Sequence, residues 1–77
     1  MSSLDDEEFA NFVRERSHVL ARTAYLLTGD VTVAEDLLQT ALVKVLGSWS
    51  VLDDRSNLDA YVRRVMVTTF ASWWRRR

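Results

Sequence analysis

Residues 60–77 read AYVRRVMVTTFASWWRRR, and this stretch governs how the rest of the chain is understood. It holds five arginines and no acid, together with Tyr61, Phe70, Trp73 and Trp74. Neither proline nor glycine interrupts it, so it reads as one helix. Leu58, Tyr61 or Val62, Val65, Thr69 and Trp73 recur at helical steps and form the stripe expected to be buried. The other face carries Arg63, Arg64, Thr68, Ala71, Ser72 and Arg75. Arginines offer fixed forks for phosphate, and aromatics beside them offer flat faces for unpaired bases, at about 1–3 kcal/mol per stacked base. Helix-dipole complementarity alone accounts for cations at a helix end, but not for paired tryptophans among them. Adjacent helical residues point about 100° apart. Trp73 therefore continues the buried stripe, and Trp74 is the one expected outside.

Upstream lies WSVLDDRSN, residues 49–57, which reads as a loop. Asp53, Asp54, Ser56 and Asn57 are turn and cap formers, and either Ser56 or Asn57 can cap the helix that follows. Arg55, Ser56 and Asn57 are polar groups able to hydrogen-bond a base edge.

Further upstream, Thr32 and Glu35 make a capping-box pattern, so a second helix is expected over about residues 33–48. Ala34, Leu38, Ala41 and Val45 share one face, with Leu37, Leu42 and Leu46 beside or across from it. That is more apolar surface than one neighbouring helix needs. Either the helix is central and covered on two sides, or part of it is exposed for a partner. Asp36, Gln39 and Lys44 border Leu38, Leu42 and Leu46, the pattern by which one helix docks on another.

The first helix is expected over residues 5–28, with acids at its positive end and Gly29 closing it, after a frayed lead-in of residues 1–4. Its stripe runs Phe9, Val13, Arg16, Leu20, Thr23 or Ala24, and Leu27, widened by Phe12, Val19 and Leu26. Three helices with short connections make a compact all-α three-helix bundle, a single domain over residues 1–77. The last helix ends in three arginines with no cap, as in a piece of a longer protein.

Composition excludes several classes. With no cysteine there is no disulfide and no thiolate metal site. No apolar run spans a membrane and the N-terminus is acidic, so a cytoplasmic setting is expected. His18 stands between Arg14 and Arg22 at helical spacing, without a carboxylate partner. Glu35 and Asp36 are adjacent and diverge on a helix, a poor acid–base pair. No glycine-rich phosphate loop or metal-spaced cluster is present, so no enzyme, no catalytic residue, no metal and no cofactor is expected. The net charge of −1 hides an asymmetry: Asp5, Asp6, Glu7, Glu8 and Glu15 lie at one end, and Arg63, Arg64, Arg75, Arg76 and Arg77 at the other.

AYLLTGDVTVAEDLLQTALVKVLGSW (residues 24–49) and LDAYVRRVMVTTFASWWRRR (residues 58–77) together resemble region 2 of a bacterial extracytoplasmic-function sigma factor. The family pattern is G-D-x-x-x-A-E-D-L-x-Q, then a Y-L-x-R-I-x-x-N-like helix about twenty residues later. The SWWRRR ending is similar to an actinobacterial, sigma-E-like subgroup. The resemblance implies docking on the β′ coiled coil of core RNA polymerase through Asp36, Leu38, Gln39, Leu42 and Leu46. It implies recognition of the promoter −10 element as single-stranded DNA by the loop and third helix. A nontemplate base would flip into a pocket built by residues 52–57. Arg63, Arg64, Thr68, Ser72, Trp74 and Arg75 would lie along the strand, beside Arg55, Ser56 and Asn57. An anti-sigma factor would be a further partner. Thr40 stands where many relatives carry glutamate, and Thr68 where many carry asparagine, whose bidentate pattern a hydroxyl lacks. Region 4 and the linker to it have no counterpart in this sequence. The rival reading is a helical protein-interaction module, with an apolar face for a protein partner and arginines that only solubilise it.

Overall fold

The computed structural model of the chain describes residues 3–52 and 56–76. Three helices account for most of them: α1 (Ser3–Thr28), α2 (Val31–Ser48) and α3 (Leu58–Arg75), with a short 3-10 turn at Trp49–Val51. At about 1.5 Å per residue, the 26 residues of α1 match the 38 Å length of the molecule. α1 packs chiefly on α2, α2 on α3, and α3 more lightly on α1. The bundle is the expected all-α one. α1 begins at Ser3, inside the stretch expected to fray. The expected turn formers Asp53 and Asp54, and Arg55 and Arg77, lie outside the described residues.

The α1–α2 connection is two residues long because glycine closes one helix and an acid opens the next. Gly29 has φ +72°, the left-handed conformation that favours glycine, and its N–H donates to the Tyr25 carbonyl at 2.7 Å. A Cβ there would meet open space, so the requirement is conformational and not steric. Asp30 is extended, and its carboxylate accepts from the Val33 N–H at 3.1 Å. Asp30 is thus the N-cap, and the Thr32–Glu35 capping box does not form. The left-handed glycine delivers the next residue, not Thr32, to the capping position, and α2 starts two residues earlier than its pattern indicates.

The core is built from Leu20 and Ala24 of α1, Ala34, Leu37, Ala41 and Val45 of α2, Trp49, and Val62 and Met66 of α3. Two assignments rotate. Leu37, not Leu38, is fully buried, while Leu38 and Leu42 pack against the core from its edge. Met66, absent from the expected stripe, fills the centre one turn after Val62. Leu26, expected to widen the stripe of α1, is 73% exposed. Trp49 is not a loop residue but the largest fully buried side chain. The 3-10 turn carries it inward against Phe9, edge-on at 5.2 Å between centroids, and near Phe12 at 6.4 Å. Thr69 is the buried polar group of α3, and its hydroxyl accepts a hydrogen bond from Lys44 Nζ at 3.0 Å. That bond meets the need of a buried hydroxyl and turns the lysine of α2 toward α3, away from the outer face.

Candidate nucleic-acid and partner interfaces

With Val62, Met66 and Thr69 inward, the outer surface of α3 is fixed. Arg64, Thr68, Ala71 and Arg75 are exposed and follow one another at steps of four, three and four residues, a single outward row. Arg63 is exposed but turned about 100° from Arg64. It lines a groove against α1 with Arg16, Val19, Thr23 and Asp59. Ser72 is half-buried on the opposite flank. Arg63, Arg64, Thr68 and Ser72 therefore do not form one narrow face; Arg64, Thr68 and Arg75 do, with Arg63 and Ser72 on either side. The Thr68 hydroxyl donates back to the Val65 carbonyl at 3.1 Å, so what it presents outward is acceptor capacity.

Trp74 is 56% exposed and Trp73 half-buried, the division expected from their spacing. The Trp74 ring meets Phe70 edge-on at 6.1 Å. Trp73 and Trp74 join Phe70, Thr28 and Val33 around a cavity of 360 Å³ at the end of the bundle.

Before α3, Ser56 and Asn57 are exposed. Asn57 occupies the N-cap position, yet its side chain makes no capping hydrogen bond. Both residues line a second cavity, of 240 Å³, with Leu58 and Asp59 of α3 and Phe12, Glu15 and Arg16 of α1. One wall is held by an ion pair: Arg16 donates through Nη2 to Asp59 at 2.5 Å and through Nε at 3.1 Å. The Asp59 hydrogen bond, then its charge, raises the pKa of Arg16 above its ordinary value, so the arginine stays charged at any working pH. The pair ties α1 to the first turn of α3. Arg16, read as part of a buried stripe, is only partly covered and serves as this tie.

On α2, the buried row of Ala34, Leu37, Ala41 and Val45 turns Asp36, Gln39 and Val43 to solvent. Asp36 and Val43 lie about 20° apart around the helix, with Gln39 and Leu46 beside them. Leu38 and Leu42, tied to the core, form the inner edge of this strip. Val43 is 68% exposed within this strip and is not among the residues that the sequence pattern selects for it. Seven residues separate it from Asp36, a spacing that signals a shared face.

Residues 12–77 match the sigma-70 region 2 family. The chain belongs to that family. It is 47% identical over 70 residues to a protein named RNA polymerase sigma-E factor in Streptomyces coelicolor, covering 91% of this chain and 40% of that relative. A protein of the same name in Streptomyces avermitilis is 49% identical over 70 residues, with 91% and 39% covered. The region 2 chain thus spans about two fifths of the length of the curated relatives it matches. No solved structure matches it significantly. These relatives bear out the resemblance to a sigma factor region 2 carried by residues 24–49 and 58–77. Among the described residues of this region 2 chain, no helix is long and apolar enough to cross a membrane.

Proposed function

We infer that this chain is the part of a sigma factor that docks on core RNA polymerase and recognises the promoter −10 element as single-stranded nontemplate DNA. The observation that carries the reading is the pairing of two unlike faces on adjacent helices of a sigma-70 region 2 chain. One is an apolar strip with an acidic border on α2; the other is an arginine row on α3 with a small cavity at its start.

On this reading Asp36, Gln39, Val43 and Leu46, with Leu38 and Leu42 at the edge, meet the β′ coiled coil. A helix pair laid along the strip would bury Val43 and Leu46 and leave Asp36 and Gln39 for polar contacts at the rim. Arg64 and Arg75, with Arg63 beside them, hold phosphates of the displaced strand. Trp74 and the cavity before α3 receive unstacked bases. Taking a base out of the stack costs a few kcal/mol, offset by stacking and by hydrogen bonds in the cavity. The work is binding throughout, with no bond made or broken. An anti-sigma factor would compete for the same faces in the cytoplasm.

Selection from a random single-stranded DNA pool tests this. A short enriched element, bound with steep salt dependence, is the expected result. A pool that yields no enriched element and no salt-dependent binding would overturn the reading in favour of a protein-interaction module.

A further inference from the structure

The cavity before α3 has a wall that the loop does not supply. Its α1 side carries Phe12, Glu15 and Arg16. Arg16 donates to both carboxylate oxygens of Asp59, which neutralises the charge of that acid at the cavity. Glu15 is exposed, and no side-chain hydrogen bond to its carboxylate is seen among the described residues. Asn57 lines the same cavity, and its amide is free of the capping role its position offers. At 240 Å³ the cavity is smaller than the about 300–1,000 Å³ typical of drug-sized ligand sites, and it opens broadly to solvent, so a base could enter it from outside.

These groups have a hydrogen-bond sense. An ionised carboxylate only accepts, and so prefers an amino group over a carbonyl oxygen. Cytosine and adenine present an amino group at the edge position where thymine and guanine present a carbonyl. Asn57 can donate and accept together, which suits the amino group and the ring nitrogen beside it. Phe12 offers a ring at the same cavity.

The geometry points to Glu15 as a specificity-determining residue: from α1, lining the same cavity as Asn57, it selects a flipped cytosine or adenine against thymine or guanine. The inference rests on the reading of the chain as a binder of single-stranded −10 DNA. It adds a determinant on a helix outside both the loop and α3.

The test uses the intact 77-residue chain, the best oligonucleotide from a random pool, and replacement of each of its positions by all four bases. Wild type is expected to show one position where cytosine or adenine binds at least about fivefold better than thymine or guanine. Glu15→Gln, a neutral isostere whose amide can also donate, should contract that ratio to below about twofold and leave preferences at other positions unchanged. Removing a negative charge strengthens binding to every strand alike, so only the ratio is diagnostic. If Glu15→Gln leaves the ratio at every position unaltered, Glu15 is not a reader and the inference is wrong, while the −10 reading stands. If wild type binds no oligonucleotide, both fall together.

Discussion

α2 and α3 are equal in length, 18 residues each, and alike on their inner sides. Ala34, Leu37, Ala41 and Val45 face Val62, Met66 and Thr69 across one small core. Their outer sides share almost nothing. α2 shows Asp36, Gln39, Val43 and Leu46; α3 shows Arg64, Thr68, Ala71 and Arg75. The inner rows are constrained by packing, because a close-packed core registers the loss of one methylene. The outer rows carry no such constraint, and on the proposed reading their difference in chemistry follows from what each face meets. The single lysine makes the same point: Lys44 belongs to α2 but is spent on Thr69, which leaves the outer face of α2 without a cation.

The contrast between inner and outer rows can be broken most violently on α2. Leu37→Ala should lower unfolding free energy by about 2–5 kcal/mol, whereas Val43→Ala should change it by less than about 0.5 kcal/mol. Urea denaturation of the two variants checks this, and equal losses would show that the helix is rotated. The contrast between the two outer faces comes next. Val43→Asp should cut capture of a β′ coiled-coil fragment by about tenfold or more while leaving the melting temperature and oligonucleotide affinity in place. Arg64→Ala should do the reverse, weakening oligonucleotide binding severalfold and reducing the salt slope by about 0.7, with capture of the fragment intact. Smallest is the cap between α1 and α2: Asp30→Ala should cost about 1 kcal/mol in the same denaturation experiment, and Thr32→Ala distinctly less.

Leu38→Asp is a poor probe of docking, although sequence reasoning selects Leu38 for the interface. Its side chain packs against the core, so an acid there destabilises the bundle as well as the strip. The reason it misleads lies in the helix itself. Val33, Ala34, Leu37, Leu38, Ala41, Leu42, Val45 and Leu46 spread over a broad arc of the helix, with Val43 among the polar residues, and periodicity does not say which residue is the centre of so wide a stripe. Its rotation is decided by α1 and α3, which the local pattern does not contain. α3 was more legible, because its arginines mark the outside. Even there the stripe through Val65 and Thr69 omits Met66, which is as buried as Thr69. Trp49 was hidden for another reason. Turn-forming residues follow it, and nothing local announces that a 3-10 turn will bring it onto Phe9 and Phe12. Gly29 was legible because its demand is local: a left-handed residue at a helix end. Of the candidate DNA residues, exposure was readable for Arg63, Arg64, Thr68, Trp74 and Arg75. The presence of α1 at the cavity was not, since Glu15 and Arg16 reach it only through the packing of α1 on α3.

On the proposed reading α3 holds single-stranded DNA through its arginines. The salt dependence of that binding tests it most directly. With Arg63, Arg64 and Arg75 each neutralising one phosphate, a logarithmic plot of affinity against salt for wild type should have a slope of roughly −2, and Arg64→Ala should make it shallower. A slope near zero, or one that Arg64→Ala leaves unchanged, would contradict the account.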